Sequence, residues 1–236
     1  MNTVEPGVPG GLFRQTMTVI GKILPIFALG VVVTTLLEIA SPDTGFLAMA
    51  IFVVSTLLDT AIAYAACHYM LFRDSRAVLA GLLSGSASLF IAAWALPYLL
   101  AGLFFVIVAM ATGDNLNAIL IVATGTFLLI MFLVARYGTF YPALIDGGNL
   151  SLRAAARRVR TGKVFWRLLG VVLLGGGLIT MAILVAPTSL SGEPLIGFLS
   201  GAPLHFMTGC VGLCMSVATA VILCNAYRGL YADRAS

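Results

Sequence analysis

The chain has 236 residues, of which 61% are hydrophobic and 9% charged, against roughly 45–50% apolar and about 25% charged in ordinary soluble domains. With a mean hydropathy of +1.08, this composition excludes a soluble enzyme, a disordered regulator and a nucleic-acid-binding domain. It predicts an all-α polytopic membrane helix bundle forming one integral domain over 1–236. The net charge of +4 is then read along a membrane face, where anionic headgroups are the closer partner.

The first residues carry Glu5, Pro6, Pro9 and Gly10 with neither a basic leader nor a small-residue cleavage site, which reads as a retained tail. Apolar runs of spanning length follow at about 19–38, 46–71, 89–111, 117–136, 166–187 and 204–226, predicting six transmembrane helices. A short basic amphipathic stretch runs into each odd-numbered span: LFRQTMTVIGKILPIF from Leu12, RDSRAVLAGLLSGSASLF from Arg73, and SLRAAARRVRTGKVFWRLLG from Ser151. The pattern predicts three related two-helix units, each led by a short interfacial helix. Each even-numbered span ends in an aromatic and basic cluster: Tyr69 with Phe72 and Arg73, Arg136 with Tyr137 and Tyr141, Tyr227 with Arg228 and Tyr231. These clusters are expected to anchor helix ends at the headgroup level.

In this threading all 13 Lys and Arg residues fall on one side. The other side carries Glu38, Asp43, Asp114 and Glu193 and no cation, so the positive-inside rule places both termini in the cytoplasm. The clearest cytoplasmic element is a basic helix over about 151–161, with Ser151 as N-cap and Gly162 as stop. There Arg153, Arg157 and Arg160 recur on one side, while Leu152, Ala155, Ala156 and Val159 fill the other. Together with Arg158, Lys163 and Arg167 they are candidates for contact with anionic inner-leaflet lipid or phosphate. The alternative is a topology signal that anchors the chain without ligand specificity. Trp166 marks the interface where the fifth span begins.

ARYGTFYPALIDGG over 135–148, followed by AAARRVRTGKVFWRLLG over 154–170, resembles the signature of bacterial six-helix inner-membrane proteins of the YciC-like kind. These are similar to the membrane domain beside some glycerophosphodiester phosphodiesterases. The resemblance rests on Arg136, Pro142, Asp146, Arg157 with Arg158, and Phe165 with Trp166 and Arg167. The Ser-Trp pair often seen after the two arginines is replaced here by Val159 and Arg160. The similarity implies an inner-membrane six-helix architecture, and no hydrolase activity carries over with it.

Asp59 is the one ionisable residue deep in a span. A carboxylate there should face the bundle interior and be neutral or have a polar partner. Ser55 and Thr56 lie one turn away, and Thr34 and Thr35 of the first span are at a compatible depth. One reading is a proton-coupling or cation site; the other is a structural carboxyl that fixes helix packing. His68 and His205 are expected near opposite membrane faces, too far apart to share a metal or haem, so no cofactor or metal is expected. Cys67, Cys210, Cys214 and Cys224 all lie in apolar runs and read as small core residues. Gly81 with Gly85, Gly175 to Gly177, and Gly209 with Gly212 read as small-residue faces for close helix packing, and Pro25 and Pro97 allow kinks.

Nucleophilic triads, phosphate loops and paired catalytic carboxylates are absent. The sequence therefore predicts a non-enzymatic accessory, scaffold or subunit whose partner is lipid, another membrane protein or a second copy of the chain. The alternative is a proton- or cation-coupled secondary transporter of a small solute using Asp59.

Overall fold

The computed structural model describes residues 11–40, 46–112, 115–147, 160–185 and 194–235, and among them every regular element is helical. The helices are α1 (Leu12–Lys22), α2 (Leu24–Ala40), α3 (Phe46–Phe72), α4 (Ser75–Leu82) and α5 (Gly85–Thr112). They continue with α6 (Leu116–Tyr137), α7 (Phe140–Ile145), α8 (Thr161–Val185) and α9 (Pro194–Ala235). Five of these, α3, α5, α6, α8 and α9, are long and apolar enough to cross a membrane, and the bent pair of α1 and α2 makes a sixth if counted as one span.

The expected first span, 19–38, is not one straight helix. The chain bends by 91° between α1 and α2. Pro25 supplies the reason: it has no N–H to offer the Gly21 carbonyl, and its ring would strike that carbonyl in a continuous helix. Ile23 sits at the break, its N–H on Val19 and Ile20 oxygens and its own carbonyl accepting from Phe27 at 3.0 Å. α1 buries Thr16, Val19 and Ile20 and leaves Phe13, Arg14 and Lys22 exposed. α3 ends with Arg73 in the left-handed region, φ 59°, and Asp74 then caps α4 by accepting from the Arg76 N–H at 2.9 Å.

Neighbouring spans pack in chain order around a ring, α2 on α3, α3 on α5, α5 on α6, α6 on α8, α8 on α9, and α9 back on α2. α9 also packs along α3 through the middle, with Leu213, Val217, Val221 and Leu223 facing Ile62, Ala63 and Ala66 in one buried core. α6 leans on α5 and α8 and hardly touches α3 or α9. A gap therefore opens inside the ring of α3, α5, α6, α8 and α9. The spans α5, α6 and α8 carry many exposed large apolar residues, among them Leu100, Phe104, Ile121, Leu129, Leu173 and Leu174. For a lipid-facing helix that is the favourable arrangement.

At one end the helix termini are tied together. Asn225 Nδ2 donates to Gln15 Oε1 at 2.8 Å, Arg228 donates to the Met70 carbonyl, and Tyr227 Oη donates to Asp146 Oδ2 at 2.8 Å. This end carries Arg14, Arg73, Arg76 and Arg228, and is called the basic end below. Of the aromatic and basic clusters expected at headgroup level, Phe72, Arg73 and Arg136 are exposed, whereas Tyr69, Tyr141 and Tyr227 are buried, at 7%, 9% and 2% exposed. The short helix α7 tucks against α3, α5 and α9, carrying Tyr141 into the bundle and packing Ala143 and Phe140 on Tyr227. Burial pushes the Tyr141 phenol up to about 12, so it stays neutral.

Candidate functional site

Asp59 lies midway along the 27-residue α3, a helix about 40 Å long at 1.5 Å per residue. It faces a cavity of about 550 Å³ bounded by α3, α5, α6, α8 and α9. The polar wall is spread over four helices: Thr56, Asp59 and Thr60 from α3, Tyr98 from α5, Thr126 from α6, and Ser216 with Thr219 from α9. α8 offers Leu168 and Val172, and α6 adds Ile130, Met131 and Val134. The lining is thus mostly apolar with a few convergent polar groups, the usual make-up of a small-molecule site.

The hydroxyls nearest in sequence do not neutralise Asp59. Thr56 Oγ1 donates to the Phe52 carbonyl at 2.8 Å and Thr60 Oγ1 to the Thr56 carbonyl at 2.7 Å. Such back-bonding satisfies a hydroxyl proton in an apolar setting. Its oxygens can still accept from a ligand. Among the described residues none forms an ion pair with Asp59, and no Lys, Arg or His lines the cavity.

Thr34 does not join the site. It is 8% exposed on α2, its Oγ1 has no hydrogen-bond partner among the described residues, and it packs beside Gly209 of α9. A Cβ on Gly209 would lie 3.7 Å from Thr34 Cγ2 and 3.5 Å from Thr35 Oγ1. α2 thus sits behind α3 and α9, outside the cavity ring. Gly212 does line the cavity, with nothing within 4 Å of its Cβ position.

The Gly81 and Gly85 pair is split. α4 ends at Leu82 and α5 starts at Gly85, so the two do not share a helix face. Gly81 has its own close contact: a Cβ there would lie 2.8 Å from His68 Nε2, and its carbonyl accepts from Tyr64 Oη at 3.0 Å. Gly85 has nothing within 4 Å. Gly175 meets the Met215 side chain of α9, while Gly176 and Gly177 face open space.

Of the basic candidates, Arg153, Arg157 and Arg158 lie outside the described residues. Arg160, Lys163 and Arg167 are exposed, with the Arg160 carbonyl accepting the Lys163 N–H at 3.0 Å. Gly162 belongs to the first turn of α8, and the basic helix expected before it, over 151–161, lies almost wholly outside the described residues. Asp43, Asp114 and Glu193 also fall outside the described residues. The four cysteines are free thiols, Cys67 and Cys224 buried. Among the described residues no group of three or more His, Cys, Asp or Glu side chains could hold a metal.

Two arrangements lie beyond the reach of spacing. Glu38, expected in a loop, is part of α2 and accepts from Thr208 Oγ1 at 2.8 Å, with His205 Nδ1 at 3.4 Å. A run of rings also links Phe72, His68, Tyr64, Phe90, Trp94 and Tyr141, with successive centroids 4.8 to 5.8 Å apart. Trp94 closes one side of the Asp59 cavity. In the sequence Phe72 and Tyr141 stand in two separate span-end clusters, and no spacing joins them to Tyr64, Phe90 and Trp94.

Comparison with protein families, with characterised proteins and with solved structures returns no match.

Proposed function

We propose that the chain is a bacterial inner-membrane protein that binds a small solute in the Asp59 cavity and carries it across in exchange with a proton or cation. One observation carries this reading: a carboxyl midway along a membrane-length helix faces a cavity of about 550 Å³ with no described cation beside it. A carboxylate in hydrocarbon costs a few kcal/mol. That cost falls when a proton or a cationic ligand neutralises it, so the group alternates between two loaded states.

The basic end faces the cytoplasm in this reading, with both termini on that side. α1 and α4 lie on the inner leaflet as interfacial helices, and the basic stretch expected to join them over 151–161 falls almost wholly outside the described residues. Arg153, Arg157, Arg158, Arg160, Lys163 and Arg167 hold anionic headgroups, each cation contributing about 1 kcal/mol near a charged surface. The pairs α2–α3, α5–α6 and α8–α9 are three copies of one unit, the first two led by the short helices α1 and α4, and their cyclic packing order supports this. The resemblance to YciC-like proteins fits that architecture.

A second reading, a non-enzymatic accessory subunit, draws on Gly176 and Gly177. Both face open space on α8 beside the exposed Leu173, Leu174 and Leu178, which suits close approach of a partner helix. Thiol labelling separates the two. In a background with the four native cysteines replaced, Ser216→Cys should react with an impermeant methanethiosulfonate in both right-side-out and inverted vesicles. Reaction from neither side would overturn the transport reading in favour of the subunit.

A further inference from the structure

We infer that the Asp59 cavity takes a lipophilic organic monocation, an ammonium or phosphonium carrying an apolar body. The inference rests on the transport reading and names the class of solute.

Charge sets the first condition. The described lining holds one carboxylate, Asp59, and no basic side chain, so one positive charge balances it. An anion would meet an uncompensated like charge against a mostly apolar wall.

The wall sets the second. A divalent metal carries two positive charges and favours about six oxygen ligands, and the described lining offers it one carboxylate, a single negative charge. A small hydrated cation finds oxygens at Asp59 and at the scattered hydroxyls of Thr56, Thr60, Tyr98 and Ser216, but over the larger, apolar part of the wall it meets Leu168, Val172, Ile130 and Val134, which offer it nothing. An organic cation buries its own apolar body against those side chains and leaves only its charge to be satisfied.

Aromatic rings set the third. Phe52, Trp94, Tyr98 and Phe127 all line the cavity with Asp59. Ring faces attract cations, tryptophan most strongly, and the attraction grows when water is excluded. Met131 and Met215 add polarisable, adaptable surface. The cavity volume of about 550 Å³ falls within the roughly 300–1,000 Å³ of drug-sized ligand sites.

The test uses two ions of nearly the same shape and opposite charge, tetraphenylphosphonium and tetraphenylborate. Each is dialysed to equilibrium against the full chain in detergent, with protein-free micelles as the blank. Saturable binding of tetraphenylphosphonium at one site per chain is expected, and none of tetraphenylborate. Asp59→Asn should weaken the cation by about tenfold or more, Asp59→Glu should retain it, and Phe127→Ala should weaken it about threefold. Equal binding of the two ions, or unchanged cation affinity in Asp59→Asn, would overturn the assignment by showing that the wall alone attracts them. The comparison of the two ions needs no variant, so a poorly folded substitution leaves the test intact. Labelled Ser216→Cys with no phosphonium binding would defeat the solute class alone, whereas unlabelled Ser216→Cys would defeat the transport reading.

Discussion

Asp59→Asn should leave the protein at least as stable as the wild type while abolishing coupled flux. The substitution keeps the volume and removes a charge that has no described cation beside it. A central Asp costs roughly 2.5–3.5 kcal/mol on insertion scales, so removing the carboxylate relieves some part of that figure. Thermal unfolding in one detergent, with solute flux in proteoliposomes, reads both effects. The alternative, a structural carboxyl that fixes helix packing, predicts the reverse: a drop in melting temperature, with function falling only as far as the fold does. A site that lowers stability for the sake of activity is a common compromise, and here the sign of the stability change decides between the readings.

Gly138→Ala should be among the most damaging small substitutions in the chain. Gly138 sits between α6 and α7, and its N–H donates to the Val134 carbonyl at 2.8 Å. A Cβ there would collide with that same carbonyl oxygen and approach Leu223 Cδ2 to 2.6 Å. Backbone cannot swing aside as a flexible side chain can. Relief requires moving the turn that seats Tyr141 against Phe90 and Trp94. Overpacking of this kind costs about 1–3 kcal/mol. Gly176→Ala is the matched control: nothing lies within 4 Å of its Cβ position, and alanine gains up to about 1 kcal/mol of helix propensity over glycine. The two variants should therefore shift the melting temperature in opposite directions. Equal shifts would contradict the packing assigned to Gly138.

The contrast also shows what the amino-acid sequence could reveal. Apolar runs long enough to cross a bilayer are legible because the membrane leaves few alternatives, and 46–71 and 117–136 compare with α3 (Phe46–Phe72) and α6 (Leu116–Tyr137). Asp59 is legible for the same reason, as a charge where charge is expensive. The 25 glycines are not: Gly138 and Gly85 look alike until the neighbouring helix is placed. The right-angle break at Ile23 was signalled by Pro25, which permits a kink without fixing its size. Thr34 shares a depth with Asp59 in the sequence reading, yet depth does not say which way a helix turns its face. The Glu38 and Thr208 contact joins residues 170 positions apart, and the cavity exists because α6 stands off from α3 and α9, a fact of packing among five helices.

The basic end illustrates a different limit. Aromatic residues beside arginines at a span's end match the headgroup belt, but the same residues suit a buried cap. Tyr227 is 2% exposed and hydrogen-bonded to Asp146. Only the path of α7 across the end of the bundle distinguishes the two.

Coupled transport through this bundle requires Asp59 to be a titrating carboxyl open to the cavity within the membrane. Dicyclohexylcarbodiimide partitions into the bilayer and adds to a protonated carboxyl, giving an O-acylisourea that rearranges to a stable N-acylurea. Treatment of native membranes, followed by mass analysis of the peptide containing Asp59, should find the adduct there, forming faster at lower pH. An Asp59 that stays unmodified in the membrane, yet reacts once the chain is unfolded, would contradict the account.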